Sequence, residues 1–535
     1  MTVTEELSAD VLVAGGGVGG LMAALRAQLS GARVVLLSGT PGASNRISSL
    51  NTALGEVPED APAALFNDVV RAGGAINNLE VVAAMSERIG AETRFLESLG
   101  IPFYHQHGEL ARRQAAGTTW TRAVYSLGMV GVDISKEIRR RLKAAGSQVT
   151  AIPHGLLLQL LVEDGRVAGG LVLGEDKRPV TIHAPAVVLA TGGAGQLFGY
   201  TTNPPGSRGI GYTLALEAGA SLIDMEFISF EPFVTAGPPH MRGRDLPTTV
   251  LREGARLRNG RGDEFLDTGS APSKDVICRA MVGEVRAGRG TPGGAVYYDI
   301  REMEPGIVAR YVQIEQVLRG LQLTPAQGLI EVMPAQHYLM GGVRIDGRGA
   351  SDVPGLYAVG EVAGGAHGAH RLAAAGGTEV VAMGAIAGEA AAAHALANRI
   401  RSPGRALQPQ PALLPTSLDP SDRQRLVRIR SALDGGCGIL RDEQCLTNAV
   451  AELEAVRQEL VATDHAPTHA GRANLVALAI ARSALARRES RGDHFRSDHP
   501  DRDDVNWLGN LEVQLSEDGR DLRLNYQKAD LAGRS

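Results

Sequence analysis

Apolar residues along this chain gather in short β-branched runs that stop at glycine, with stretches of helical spacing between them. The first such unit, ADVLVAGGGVGGLMAALRAQLSGARVVLLS (9–38), opens on Val11-Leu12-Val13 and breaks at Gly15. LMAALRAQL then repeats apolar residues at helical spacing, and RVVLLS returns to a continuous apolar run. The pattern predicts a strand, a glycine turn, a helix and a second strand. Two later apolar runs end in the same way. PAVVLATGGAGQ (185–196) closes on Thr191-Gly192-Gly193, and DVPGLYAVGEVAGG (352–365) closes on Gly360-Glu361. Three glycine-ended strands spread this widely predict a doubly wound α/β domain interrupted by an insertion.

Gly15, Gly17 and Gly20 fit G-x-G-x-x-G between the first strand and its helix. Glycines there allow a tight turn and the close approach of a pyrophosphate, which the free N–H groups of the helix start can meet. RVVLLS ends at Ser38, where an acidic ribose ligand is usual; a serine hydroxyl still bonds a ribose but reads NAD less well. The second and third segments have no role in a simple NAD domain. They match the organisation of FAD-binding folds of the glutathione-reductase type, so the dinucleotide is read as FAD.

Composition narrows the function classes. At 535 residues, 44% hydrophobic and 21% charged, the chain is long enough for two or three globular units. A net charge of −5 and the lack of a basic block give no reason to expect nucleic acid. Cys278, Cys437 and Cys445 are too few and scattered for a disulfide frame or a zinc site, so no metal is expected. The acidic N-terminus does not read as a secretory signal. The alanine-rich stretch GAIAGEAAAAHALA carries Glu389 and His394 and reads as too short and polar to span a bilayer. The 67 glycines suggest many tight turns and close backbone–ligand contacts. A soluble, cytoplasmic enzyme is the expectation.

Four separated motifs then stand in a familiar order: YTTNPPGSRGIGYTLALEAGA (200–220), IEVMPAQHYLMGGVRID (330–346), GLYAVGEVAGGAHGAHRL (355–372) and ARRESRGDHFRSDHPDRDDVNW (486–507). Over almost its whole length the chain resembles the succinate dehydrogenase and fumarate reductase flavoproteins and the L-aspartate oxidases. The resemblance implies an FAD-binding Rossmann domain in two parts, 1–228 and 341–404. It also implies an inserted α+β capping domain, 229–340, and a mostly helical C-terminal domain with a tail, 405–535. RSPGRALQPQPALLPTSLDPSD (401–422), with five prolines, supports the last boundary.

Position by position, part of the family inventory stays and part departs. His337 in AQHYLMGG and Arg371 in GAHRL match the residues that hold a substrate carboxylate, and a guanidinium fork suits that group. Gly360-Glu361 matches the pair that binds hydroxyls of FAD. Glu231 is different. In SFEPF alone it reads as a solvated loop charge, but the family has a histidine there for the second carboxylate of a dicarboxylic acid. A glutamate would repel that anion and accept from an amine, hydroxyl or amide, so succinate, fumarate and aspartate are expected to be poor substrates. Thr249 replaces a family glutamate. Lys274 replaces the family's proton-donating arginine; it reads equally as a buried acid/base or as a salt-bridge partner of Asp275 or Glu253. Two escapes from the repulsion at Glu231 are protonation of that carboxylate or a salt bridge to Lys274. Ala375 and Gly376 stand where the family has Asn-Ser against the flavin. SGTPGASNRISSLNTALGEV (38–57) has no histidine for a covalent tether, so the FAD is expected to be non-covalent. Arg488, Glu489 and Arg491 read as structural.

The combined reading is an FAD-dependent oxidoreductase that moves a hydride between flavin N5 and the carbon next to a carboxylate, on a small substrate that is no ordinary C4 dicarboxylate. Lys274 or Glu231 would be the acid/base. The alternatives are an L-aspartate oxidase or fumarate reductase proper, a flavoprotein subunit passing electrons to an iron–sulfur or other acceptor partner, and a degenerate flavin-binding scaffold.

Overall fold

The computed structural model describes residues 5–39, 42–267, 272–398 and 419–528. Of the proline-rich linker, 401–418 lies outside the described residues, and Pro420 is already the first residue of a helix. In chain order, the cofactor side of the molecule begins with β1 (Val11–Ala14), α1 (Val18–Leu29), β2 (Val34–Ser38), β3 (Val149–Pro153) and β4 (Ala186–Leu189). The insertion contributes β5 (Ile228–Thr235), α2 (Lys274–Arg286) and β6 (Leu329–Leu339); β7 (Leu356–Ala358) and α3 (Ala375–Ala397) follow.

Strands β7, β4, β1, β2 and β3 lie side by side in that order, all parallel. Their residues are buried almost throughout apart from β3, as parallel strands covered on both faces must be. Chain order reverses at β1, which has β2 on one side and β4 on the other. The crevice beyond the carboxyl ends of these two strands is where such sheets bind ligands. Helix α3 crosses α1 through small residues. A Cβ on Gly388 would lie 2.3 Å from Ala23 O, and one on Gly384 would lie 2.8 Å from Gly19 O. This explains the alanine and glycine content of α3, and it corrects the sequence reading of that stretch. The helix runs 23 residues and is long and apolar enough to cross a bilayer, yet it is largely buried against α1 and the sheet.

In the insertion, β5 pairs antiparallel with β6 in a four-stranded sheet. That sheet has its own apolar core, around Phe233, Leu257, Ile277, Tyr298 and Val332. The C-terminal part packs three helices, Pro420–Gly436, Glu443–Ala462 and His469–Ala486. It also ends in a hairpin, Gly509–Leu515 and Leu522–Lys528, that the helical expectation left out. The first hairpin strand pairs with Leu222–Ile223, which ties the C-terminal part to the cofactor side.

The ESRGDHFR segment is structural, with one change of residue. Arg487 donates to Glu226 at 2.6 Å and to Glu489 at 2.9 Å, and Arg491 donates to Glu489 at 2.7 Å, all four side chains being buried. Arg488 is 63% exposed and lies outside that buried network, pairing at the surface with Glu443 at 3.8 Å.

Candidate functional site

A cavity of about 830 Å³ opens at the carboxyl ends of β1, β2 and β4. Its wall is built first by the glycine turn. Gly15 has φ +134°, and a Cβ there would lie 2.0 Å from Ala190 O; one on Gly20 would lie 2.0 Å from Gly15 O. No side chain fits at either position, so the backbone stays open to a ligand. Thr191, Gly192 and Gly193 continue the wall from the end of β4, and Gly360 and Glu361 continue it from the end of β7. Gly193 is needed because the Glu361 carboxylate occupies the space of its Cβ, with Oε1 2.0 Å away. Glu361 Oε1 accepts from Leu339 N at 3.1 Å, and burial pushes this carboxyl up to about 7. Thr191 Oγ1 is buried without a hydrogen-bond partner. An open glycine turn, a carboxylate able to accept from hydroxyls and an unpartnered buried hydroxyl together fit FAD.

Two of the expected cofactor residues stand off the cavity. Ala375 is fully buried in the main core at the start of α3, and the wall there is made by Ala373, Ala374, Gly376 and Gly377. Ser38 ends β2 behind Gly16, while its neighbours Leu37 and Gly39 line the cavity.

Glu231, Lys274, His337 and Arg371 line the same cavity as the glycine turn. The SFEPF segment explains how Glu231 arrives there. Pro232 cannot donate to the ladder, and the β5–β6 register shifts between Glu231 and Val234. Phe233 goes into the core of the insertion, and Glu231 turns to the cavity. Glu231 is therefore a buried wall residue, not a solvated loop charge. Nor is it a free anion: Lys274 Nζ lies 2.6 Å from Glu231 Oε2.

That pair settles where Lys274 points. Glu253 is bound by Arg310 at 2.8 Å and by the Tyr311 hydroxyl at 2.6 Å, and Asp275 by Arg279 at 2.8 Å. Lys274 is the first residue of α2 and its side chain is 47% exposed, so the expected burial is not observed. Thr249 also lines the cavity.

Arg371 stacks on Tyr338, its guanidinium carbon 4.6 Å from the ring centroid, and Tyr338 donates to Glu379 at 3.2 Å. Arg371 Nε is buried without a hydrogen-bond partner, and among the described residues no carboxylate pairs with the guanidinium. His337 is fixed by Thr202, whose hydroxyl is 2.8 Å from Nδ1, and by Asn203, which donates to its carbonyl at 2.7 Å. Burial, together with the cations Arg371, Lys274 and Arg46, holds its pKa well below the usual histidine range. A neutral imidazole with Nδ1 engaged leaves Nε2 for a ligand oxygen. Sequence reasoning missed Thr202, Asn203 and Tyr338. The first two lie in the quoted TTNPPG motif, and Tyr338 adjoins His337. Among the described residues no group of three or more His, Cys, Asp or Glu could hold a metal.

Comparison with known proteins agrees with this geometry. Residues 10–377 match the FAD binding domain family, and 427–533 match the fumarate reductase flavoprotein C-terminal family. A fumarate reductase (CoM/CoB) subunit from Methanothermobacter marburgensis is 30% identical, over 93% of this chain and 96% of its own length. The L-aspartate oxidase of Streptomyces coelicolor is 34% identical, over 96% and 92%. Among solved structures, Mycobacterium smegmatis Sdh1 in complex with UQ1 superposes with a TM-score of 0.89 at 26% identity, covering 98% of this chain and 95% of that one. The FrdA chain of E. coli quinol fumarate reductase gives 0.84 at 26%, covering 99% and 98%. An open glycine cradle, an unpaired arginine beside it and these matches along nearly the whole length lead to one conclusion: the chain is an FAD-dependent oxidoreductase of the fumarate reductase, succinate dehydrogenase and L-aspartate oxidase family.

Proposed function

We propose that the substrate is a small carboxylate whose other end is an amine, a hydroxyl or another group that is not an anion. The observation that carries this reading is the asymmetry of the cavity. Arg371 is an unpaired cation with a buried, unsatisfied Nε, whereas Glu231 and Lys274 are already paired. Arg371 would grip the carboxylate as a fork, with His337 Nε2 donating to one of its oxygens. The Glu231–Lys274 pair is neutral overall, and it offers a carboxylate oxygen to a donor and an ammonium to an acceptor.

FAD, held by the glycine turn, Thr191–Gly193 and Gly360–Glu361, would supply the hydride acceptor or donor for the carbon next to the carboxylate. Lys274 gives or takes the accompanying proton. Glu231 aims the ammonium, and the half-exposed lysine side chain exchanges protons with solvent. We read residues 229–340 as a cap over a cofactor part made of 1–228 and 341–404, with 405–535 as a C-terminal unit; the separate apolar core around Phe233 supports that division. The cytoplasmic setting, read from three free thiols, belongs to the same proposal. The direct test is an anaerobic screen of amino, hydroxy and dicarboxylic acids for bleaching of the bound flavin.

A second reading rests on the Methanothermobacter relative, which is named as one subunit of a larger fumarate reductase. Under it the chain hands electrons to an iron–sulfur or other acceptor protein, and such a partner would co-purify.

A further inference from the structure

Arg139 is used by nothing described so far. It lies in the helix Val130–Ala144, half-buried, and its guanidinium reaches the glycine turn, where Nη2 donates to Gly16 O. A Cβ built on Gly16 would lie 3.0 Å from Ser38 Cα and 3.1 Å from Arg139 Nη2. Gly16, Ser38 and Arg139 therefore form one corner at the end of β2. Gly16, Leu37, Gly39 and His154 line the cavity beside it, with Ser38 and Arg139 one layer back against Gly16. Burial pushes the Arg139 guanidinium below the usual arginine range, and among the described residues no acidic group pairs with it.

In doubly wound domains the end of the second strand faces the adenosine ribose. An acidic residue there accepts from the ribose hydroxyls, and an arginine there accommodates a phosphorylated ribose. In this chain the acid is missing, and a cation arrives from a different element. We propose that Arg139 is a cofactor-binding residue, donating to oxygens of the adenosine ribose and its 5′-phosphate in place of the usual acidic ligand. The corner then attracts anionic oxygens at the ribose where an acidic corner repels them.

The test compares wild type, Arg139→Lys and Arg139→Gln. FAD dissociation from the holoenzyme is followed by the flavin fluorescence regained on release. Loss of one charge-assisted contact should weaken FAD about tenfold to a hundredfold in the glutamine variant, with the lysine variant between. A second measurement covers the case in which the glutamine variant folds poorly. Wild-type protein stripped of flavin is titrated with adenosine 5′-monophosphate and with adenosine 2′,5′-bisphosphate. The bisphosphate should bind at least as tightly as the monophosphate. An FAD affinity unchanged within twofold in both variants would overturn the proposal, leaving Arg139 as a tether for the Gly16 carbonyl. So would wild-type binding of the monophosphate tenfold tighter than the bisphosphate.

Discussion

The Lys274–Glu231 pair can be opened from either side, and the two openings should move dicarboxylate binding in opposite directions. A second carboxylate about 4 Å from Glu231 meets about 4 kcal/mol of repulsion at an effective dielectric near 20. Standing alone, Glu231 would therefore weaken a dicarboxylate about a thousandfold. Lys274 lies 2.6 Å from Glu231 Oε2. At about 6 Å from the same anion it returns about 3 kcal/mol, which leaves a net penalty of about 1 kcal/mol. Wild type should then disfavour succinate only about five- to tenfold. Lys274→Ala exposes the glutamate. Because the lysine is 47% exposed and partly screened by solvent, the further loss should be about tenfold or somewhat more. Glu231→Gln frees the lysine and should tighten succinate and malonate by about tenfold or more. The assay is titration of the flavin difference spectrum with each dicarboxylate, which reads binding without needing turnover. Two variants that shift the same way, or neither shifting more than twofold, would refute the electrostatic reasoning.

Acid or heat denaturation should release all FAD into the supernatant, because 38–57 holds no histidine; flavin retained on the precipitate would show another linkage. Glu361, pushed up to about 7 by burial, is protonated more readily folded than unfolded, so its contribution is full below about 4.5 and is lost as pH rises to about 7. Thermal unfolding of Glu361→Gln should therefore show a flatter pH dependence across that window, and an unchanged slope would contradict the assignment. Arg487→Met leaves Glu226 and Glu489 short of a buried partner and should cost about 3–5 kcal/mol in denaturant unfolding. A loss under about 1 kcal/mol would show that the network is not holding the C-terminal part in place.

Much of the fold was legible because it rests on local rules. Gly15 is required by its positive φ and by Ala190 O, and Gly20 by the closeness of Gly15 O, and three glycine-ended apolar runs correctly implied parallel strands split by an insertion. Long-range pairing was legible only as one option among several. Lys274 and Glu231 are 43 positions apart, on a helix start and a bulged strand, and either could have paired locally. Arg139 reads in sequence as one more cation in the KEIRRRLK run of an amphipathic helix; only the packing of that helix against the glycine turn singles it out. Ala375 aligned with a flavin contact but faces the core, since its place at the start of α3 turns its side chain inward. The C-terminal hairpin escaped notice because GNLEVQL alternates over too few residues to stand out after three helices.

The central claim is that Arg371, unpaired and stacked on Tyr338, is the carboxylate grip beside the bound flavin. The measurement that tests it is anaerobic titration of wild type, Arg371→Lys and Arg371→Ala with a set of small amino and hydroxy acids, recording flavin bleaching and FAD content together. The account predicts that a substrate bleaching the wild type binds far more weakly to Arg371→Ala, is partly restored in Arg371→Lys, and leaves FAD content unchanged in all three. Bleaching by the same acid at wild-type concentrations in both variants would contradict it.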